Sequence, residues 1–519
     1  MRSLFKLNAP IVFILFLGVT LLIYGTVISG PFLFDDNLLI ELNSLIRSLD
    51  NFSAFFTSHS LSGASIEGSS NFYRPMQYLT YAIIYHFFGL NAIAFHCVSI
   101  FLHFINANLL FLFLQKLRFS YIASAISAIV FIVHPVNLEA VSYISGIADP
   151  LGFFFLFLGF LRILTLKKYH LIEGIQIIVL FSLALLSKES TLIFLPLTGL
   201  IIVFMGNQIQ KEHRKFYGYL LVSLALLASG YLTLKFTVLN FTGSGGLNPY
   251  VNIYTQHLWV RITTFISILH HYVELILFPK HLYIEKPFTA YNTLFSIQFL
   301  FGIFVIISGL WLSYRSFFRK KIIFFGFFWF FLALVPVSGL IPLNAMFLEH
   351  WLYFPIVGVL ILLSGLWDSI TIPSMKIILS ILLLVSIIAL STRSILRNRE
   401  WADPVLFYQN ELAYSPNSTR IHNNLGMEYS SQKNYRLAIK SFKTAISIWD
   451  NYPQTHHNLA DTYRKQGDFE NAESEYLKAL QISPSFIYSY IGIFKLYEHT
   501  QPKKATQVYH RILELQNEQ

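Results

Sequence analysis

Eleven long apolar runs in this chain of 519 residues predict helices that cross a membrane. Each run approaches the ~20 residues that an α-helix needs to cross hydrocarbon, where only a helix satisfies the backbone of a single segment. Hydrophobic residues make up 55% of the chain and charged residues only 12%, which excludes a soluble protein. The runs are Pro10–Ile28, Ile93–Leu114, Ile122–Tyr143, Leu151–Leu166, Ile172–Leu186, Thr191–Met205, Phe216–Leu239, Leu294–Leu312, Ile322–Pro342, Trp351–Trp367 and Met375–Thr392.

Basic residues between the runs predict the orientation of these helices. Arg2 and Lys6 precede the first run, so the N-terminus is expected in the cytoplasm, where positive charge is retained. With eleven crossings, four later basic clusters all fall on the cytoplasmic side. The net charge of +10 then reflects membrane topology, and no nucleic-acid partner is expected. The clusters are Lys116 with Arg118, Lys167 with Lys168, Lys211–Lys215 and Arg315–Lys321.

A further apolar segment, His257–Phe278, could be counted as a twelfth crossing. That count would move the Arg315–Lys321 cluster to the outer side, and the segment itself carries an arginine, two histidines and a glutamate. We therefore expect the segment to lie in the membrane interface, or to dip in and return, within an outer loop from about Asn240 to Asn292. The glycine-rich stretch Gly243–Gly246 predicts a flexible part of that loop.

Beyond about residue 397 the composition becomes polar, and a 34-residue period appears that is typical of tetratricopeptide repeats. The sequence therefore predicts an all-α protein: a polytopic membrane helix bundle over residues 1–397, followed by a tetratricopeptide α-solenoid over residues 398–519. A third, degenerate unit contains Tyr497, Ala505 and Tyr509. The repeated positions are Gly426, Tyr429, Ala438, Phe442 and Ala445, which recur as Ala460, Tyr463, Ala472, Tyr476 and Ala479.

Two adjacent acids, Asp35 and Asp36, follow the first run on the predicted outer side. Ionised carboxylates are costly in hydrocarbon, so the pair is either a solvated turn or part of a functional site. The same outer loop contains Arg74, directly before Pro75 at a predicted helix start. An arginine there can pair with a carboxylate, with a phosphate ester or with lipid headgroups.

The later outer loops also combine ionisable residues with aromatic ones. His134, Glu139 and Asp149 lie at the mouth of helices that otherwise carry no charge. Three ionisable groups in such a place are costly unless they face a polar cavity. In the tight turn Lys188-Glu189 the two side chains could neutralise each other, or the Lys188 ammonium could hold a phosphate. The candidate residues of these loops are His134, Glu139, Asp149, Lys188, Glu189, Glu349 and His350.

Several of these stretches together resemble the family of transmembrane and tetratricopeptide-repeat proteins, the TMTC family. The resemblance rests on the Asp pair, the Tyr73-Arg74-Pro75 stretch, the spacing through His96 and His103, and the C-terminal repeats. Three further motifs carry it: HPVNLEAVSYISGIAD at 134–149, LLSKES at 185–190 and LEHWLYFP at 348–355. The chain departs from the family at Ile147 and His350, where arginine is usual, and its repeat array is short.

The resemblance implies an O-mannosyltransferase-like glycosyltransferase of the GT-C type. Such an enzyme would transfer mannose or another hexose, with inversion, from a polyprenyl- or dolichyl-phosphate donor to an exported protein on the outer or luminal face. Asp35 or Asp36, with Asp36 preferred, would be the base for the acceptor hydroxyl. Arg74 and Lys188 would hold the leaving phosphate. The remaining candidates, expected to contact the acceptor or the sugar, are His134, Glu139, Asp149, Glu189, Glu349 and His350.

No cofactor is required by these assignments, although Asp35 or Asp36 could hold a divalent cation such as Mg²⁺ or Mn²⁺. Expected partners are the lipid-linked sugar, the bilayer and a protein or peptide acceptor bound by the repeats. A bacterial plasma membrane with the repeats in the periplasm is favoured over an endoplasmic reticulum. Two alternatives remain: a non-catalytic membrane anchor that presents the repeats to exported proteins, and a transporter, which would favour buried ions and broken helices near mid-membrane.

Overall fold

The chain forms two compact units, Met1–Ala402 and Asp403–Gln519. The structure, a computed structural model, describes residues 9–59, 63, 72–166, 171–205, 214–239, 253–286, 290–317, 321–341, 343, 345–498 and 501–518. All regular elements in those ranges are helices, so the predicted all-α fold is confirmed. Lys167, Lys168, Lys211, Gly243–Gly246 and the 318–320 part of the last basic cluster lie outside the described residues.

Sixteen α-helices lie in the described part of the first unit. Their bounds are α1 Ala9–Tyr24, α2 Phe52–Phe55, α3 Pro75–Phe88, α4 Ala92–Lys116, α5 Tyr121–Val133, α6 Leu138–Val141, α7 Ala148–Leu164, α8 Leu171–Ser187, α9 Phe194–Met205, α10 Arg214–Thr233, α11 Ile253–Gln256, α12 Leu258–Leu277, α13 Ile297–Phe317, α14 Lys321–Leu334, α15 Ile356–Ser369 and α16 Pro373–Ala402. Two π-helical turns, Asn37–Glu41 and Leu234–Val238, interrupt the α-helical pattern.

The apolar helices of the first unit make the chain an integral membrane protein. Six helical segments in the described residues are long and apolar enough to cross a bilayer. The pair α5 and Pro135–Val141 passes the same test together but bends by 56° at the break between them. Five shorter apolar helices complete the set, and each of the eleven predicted runs overlaps one of these helical segments.

The expected interfacial segment is an α-helix, α12, which is also long and apolar enough to cross a bilayer. At its two ends, α12 contacts residues that lie on the predicted outer side. Near its start Arg261 donates through Nε to Gly339 O at 2.6 Å, and near its end Ile276 O bonds His134 Nε2 at 3.0 Å. These end contacts agree with the predicted outer loop, while the middle of α12 packs closely against the membrane helix α13, where a Cβ on Gly302 would lie 2.0 Å from Ile266 O.

Reporter fusions test this topology. We expect fusions in the segments 240–252 and 287–289, on either side of α12, to report the outer face. Fusions in 318–320 should report the cytoplasm, and fusions after Ala402 the outer face, because only this pattern keeps the basic clusters inside. Opposite sides for the two fusions that flank α12 would mean that α12 crosses the membrane.

The second unit consists of paired helices packed as repeats. Gly426 and Gly492 are required by this packing, because an added Cβ would lie 2.7 Å from the Phe442 ring and 2.4 Å from the Tyr476 ring. The hydrophobic core of these repeats also includes Tyr497 and Ala505 of the third, degenerate repeat. The helices are α17 Pro404–Tyr414, α18 Thr419–Ser431, α19 Tyr435–Ile448, α20 Pro453–Gln466, α21 Phe469–Ile482, α22 Ile487–Tyr497 and α23 Pro502–Glu518.

Candidate active site

Asp36 joins the first outer loop to the turn Ile144–Ile147. Its side chain is 1% exposed, and Oδ2 accepts the Leu33 N–H at 3.0 Å. Its Oδ1 accepts the Ser145 N–H at 2.7 Å and also the Ser145 hydroxyl. The turn passes this close to α6 because residue 146 is glycine: a Cβ there would lie 2.5 Å from Glu139 O. Asp36 is therefore an anchor with both oxygens engaged.

Asp35 differs from Asp36 in being only half-buried. Its N–H donates to the Tyr143 hydroxyl at 2.9 Å, which fixes the backbone beside the carboxyl group. The preceding residue, Phe34, has φ of 57°, a left-handed conformation that is costly for a residue with a Cβ and that concentrates at functional sites. The geometry thus favours Asp35 over Asp36 as the carboxylate that can meet a substrate.

Burial gives Asp36 an unusual proton affinity. It raises the pKa of Asp36 from 3.8 to about 7, helped by the charge of Asp35 and opposed by the hydrogen bonds from Leu33 and Ser145. The unfolded chain loses this proton near its ordinary pKa, whereas the folded chain keeps it up to about pH 7. The stability contributed by Asp36 is therefore greatest below about pH 4 and is lost as pH rises to about 7.

We expect the Tm of the purified protein to fall between pH 5 and pH 7 by a component that Asp36→Asn removes. Asparagine keeps an acceptor for the Ser145 N–H but cannot titrate. Thermal unfolding at several pH values, with Asp50→Asn as an exposed control from the same outer loop, measures the effect. An unchanged pH dependence in Asp36→Asn would show that Asp36 is ionised throughout this range.

Helix α3 brings Arg74 to the same turn. Pro75 is its first residue, where a missing N–H costs nothing. Gln77 Nε2 donates to Ser145 O and the Tyr81 hydroxyl donates to Ile144 O, each at 3.0 Å. A small cavity beside the π-helical turn Asn37–Glu41 is lined by Leu39, Arg74, Gln77, Tyr78 and Tyr81. The Asp pair and helix α3, which follows Arg74, are thus held by the segment 143–147.

Four of the predicted residues form two ion pairs on consecutive positions of one turn. Arg74 contacts Glu189 through two atoms, Nε to Oε2 at 3.0 Å and Nη2 to Oε1 at 3.3 Å. Lys188 Nζ lies 2.5 Å from Asp149 Oδ2, and both side chains are buried. Each cation assigned to the phosphate therefore already has a carboxylate partner, so Glu189 and Asp149 orient these cations.

Two more buried carboxylates have polar partners around the segment Glu349–Leu352. Glu139 contacts His350 through both carboxylate oxygens. Oε1 lies 2.9 Å from His350 Nδ1, and Oε2 accepts the His350 backbone N–H at 3.0 Å. Glu349 Oε1 lies 2.9 Å from Lys286 Nζ and accepts the Tyr283 N–H at 2.7 Å. Both carboxylates are buried. The structure therefore brings Glu139, Glu349 and His350 together and adds Lys286.

His134 lies at the bend between α5 and the Pro135–Asn137 turn. Its Nδ1 accepts the Val136 N–H at 3.3 Å, and its Nε2 bonds Ile276 O at 3.0 Å. Both ring nitrogens are therefore engaged with the backbone. In this arrangement His134 holds the bend against the end of α12.

Sequence reasoning missed several residues that build this site. Tyr143 and Ser145 lie inside the motif at 134–149, so the polar positions of that motif were the available signal. Lys286 lies in an outer loop without periodicity, and Gln77 is an ordinary helix residue. Their roles arise from contacts between segments far apart in sequence.

The described residues do not fit the divalent cation that the sequence left open. Within them, no group of three or more His, Cys, Asp or Glu side chains could hold a metal ion. Both oxygens of Asp36 are already taken by Leu33 and Ser145. No step of the reaction is therefore assigned to a metal.

Comparison with known proteins connects this arrangement to a family. Residues 419–448 and 453–486 match the tetratricopeptide repeat model. Human protein O-mannosyl-transferase TMTC3 is 24% identical over 505 residues, covering 91% of this chain and 55% of that protein. Protein O-mannosyl-transferase F38B6.6 of Caenorhabditis elegans is 26% identical, covering 85% and 63%. Human TMTC4 is 24% identical, covering 82% and 64%. The predicted resemblance to the TMTC family is confirmed.

The chain spans about half to two-thirds of the length of these TMTC relatives. Among solved structures, the crystal structure of ArnT from Cupriavidus metallidurans bound to undecaprenyl phosphate gives a TM-score of 0.39. It is 11% identical and covers 91% of this chain and 80% of that one.

Proposed function

We propose that the protein is a membrane glycosyltransferase that moves a hexose from a polyprenyl- or dolichyl-phosphate donor to an exported protein. The observation that carries this proposal is the structural difference between Asp35 and Asp36. Asp36 is buried and both of its oxygens accept hydrogen bonds, while Asp35 is half-buried on a strained backbone that is held by the Tyr143 hydroxyl. The names of the TMTC relatives, protein O-mannosyl-transferases, agree with this chemistry.

Asp35 acts as the general base. Its carboxylate takes the proton of the acceptor hydroxyl while that oxygen bonds to the anomeric carbon of the sugar. The bond from the anomeric carbon to the lipid phosphate breaks on the opposite face, so the configuration is inverted.

Arg74 and Lys188 stabilise the phosphate that leaves. Charge develops on its oxygens as the bond to the sugar breaks, and preoriented cations lower the energy of that state. Glu189 and Asp149 fix the two cations, which costs no reorganisation during the reaction. The neighbouring group of Glu139, Glu349 and His350 is assigned to hydroxyls of the sugar or acceptor, and His134 to holding that group in place.

The repeats are assigned to the protein acceptor. Tetratricopeptide arrays bind extended segments along their surface and carry out no chemistry themselves. The alternation of basic clusters predicts that they lie on the same side of the membrane as Asp35. Placement in a bacterial plasma membrane, with the repeats in the periplasm, remains our preferred localisation.

Transfer from a radiolabelled polyprenyl-phosphate hexose to exported protein, measured in membranes, tests this function. We expect the intact chain to label protein, and a chain lacking Ser418–Gln519 to lose most protein labelling while it still binds the donor lipid. Normal protein labelling by the truncated chain would show that the repeats serve another purpose. If the intact chain transfers no sugar from any polyprenyl-phosphate hexose, the membrane-anchored scaffold is the better interpretation.

A further inference from the structure

Three hydrogen-bond donors beside the Arg74–Glu189 pair have no partner within the described part of the chain. Ser190 Oγ and the Tyr231 hydroxyl are buried without a hydrogen bond there. Lys235 is only 8% exposed, and within the same residues its ammonium makes no hydrogen bond or ion pair. Buried polar groups, and buried charges above all, are normally satisfied. Tyr231 and Lys235, both near the Arg74–Glu189 pair, indicate a ligand there that accepts hydrogen bonds, and Ser190 is the residue that follows Glu189.

The fold explains why these donors come together. Tyr231 and Lys235 are four residues apart, where α10 gives way to the π-helical turn Leu234–Val238. π-Helical turns are rare in proteins, and those that occur are frequently found at functional sites. The Tyr231 ring lies 6.1 Å from the Tyr73 ring, next to Arg74, and Ser190 follows Glu189 in the chain. Lys235 also lies within range of the charges of Glu189 and Arg74.

The charge of this group calls for an anion. Arg74, Lys188 and Lys235 outnumber the carboxylates of Asp149 and Glu189 by one. A phosphate ester brings negative charge and several acceptor oxygens, which matches an ammonium and two hydroxyls.

The surroundings of Lys235 indicate that this phosphate belongs to a lipid. Leu234, Phe236 and Val238, from the same π-helical turn, are exposed apolar side chains. The preceding membrane helix also has an exposed apolar surface, with Val222 and Leu226 largely open. A headgroup held by Lys235 can therefore leave its hydrocarbon chain in the bilayer.

We propose that Ser190, Tyr231 and Lys235 form the binding site for the phosphate of the lipid-linked sugar donor, next to Arg74. This proposal rests on the proposed function, and it assigns to that reaction three residues that the sequence analysis did not select. Arg74 and Lys188 already form ion pairs with carboxylates, whereas Lys235 forms none within the described residues. Lys235 is thus the principal contact of the phosphate before and after transfer.

The test is binding of a polyprenyl phosphate to the full chain in phosphatidylcholine nanodiscs. We expect Lys235→Gln to weaken binding by ~10–100-fold, as for loss of a charged hydrogen bond, and Tyr231→Phe and Ser190→Ala to weaken it less. Lys280→Gln and Tyr219→Phe, exposed residues of the same types, should bind like the unmodified chain. Without ligand, Lys235→Gln should have an equal or higher Tm, because it removes an unpaired buried charge, whereas a structural lysine would lower the Tm when lost.

Two further ligands identify the source of the phosphate. Inorganic phosphate should compete only weakly, and phosphatidylglycerol should bind at least ~10-fold more weakly than polyprenyl phosphate. Equal, Lys235-dependent binding of phosphatidylglycerol would overturn the assignment to the donor. Unweakened polyprenyl-phosphate binding in Lys235→Gln, or a clearly lower Tm of that variant without ligand, would overturn the site itself.

Failure of the site and failure of the reaction are distinguishable. If Lys235→Gln loses lipid binding but the unmodified chain transfers no sugar, the phosphate site stands and the glycosyltransferase proposal falls. If Lys235→Gln transfers sugar with an unchanged KM for the donor, the glycosyltransferase stands and this assignment of Lys235 falls.

Discussion

Asp35→Asn is expected to reduce sugar transfer by a factor of ~10²–10⁴, the usual loss when a general base is removed. Asparagine has nearly the shape of aspartate but cannot accept the proton of the acceptor hydroxyl. The N–H of residue 35 would still donate to the Tyr143 hydroxyl, so the backbone should be retained. The measurement is transfer from a polyprenyl-phosphate hexose in membranes that contain equal amounts of each variant.

Asp50→Asn is the matched control, because Asp50 is an exposed acid in the same outer loop, and it should transfer at the unmodified rate. Asp36→Asn separates the two acids: if Asp36 is an anchor, this variant should lose less activity than Asp35→Asn. The reverse order would return the role of base to Asp36. Unmodified activity in both single variants and in the double variant would end the catalytic interpretation.

Breaking the buried Lys188–Asp149 pair should have the largest effect on stability. The two side chains are 7% and 3% exposed, so Lys188→Met leaves a carboxylate buried without its partner. Loss of one member of a buried pair typically costs ~3–5 kcal/mol. We therefore expect a clearly lower Tm for Lys188→Met, measured by thermal unfolding in detergent.

The double variant Lys188→Met with Asp149→Asn distinguishes an ion pair from a packing effect. Removing both charges should recover most of the lost Tm, because neither buried charge then lacks a partner. Arg511→Gln is the control, since Arg511 and Glu514 form an exposed pair and such pairs contribute little. A double variant no more stable than Lys188→Met would show that the lysine side chain matters by its packing.

The membrane helices could be predicted because their signal is local. A run such as Phe216–Leu239 is apolar along its whole length, and hydrocarbon requires its backbone to be helical whatever it packs against. The repeats could be predicted for a similar reason, since Gly426 and Phe442 face each other within one helix pair. In both cases the residues that determine the structure lie within one short segment of the sequence.

The difference between the two acids could not be predicted. Asp35 and Asp36 are the same residue type at neighbouring positions, and Asp36 was the preferred candidate for the base. Ser145, more than one hundred residues away, binds one oxygen of Asp36, and the nearby Leu33 N–H binds the other. The partners of Arg74 and Lys188 could not be predicted either, because Glu189 and Asp149 come from segments far away in the sequence.

The helical class, the membrane segments, the repeats and the set of outer-loop candidates all follow from the amino-acid sequence. Hydrophobicity and periodicity act over a few turns of helix, so these properties are readable along the chain. The tertiary structure alone decided which carboxylate is engaged, which cations are already paired and that Lys235 is not. Those outcomes depend on distances between segments far apart in sequence, and burial then sets the energy of each charge.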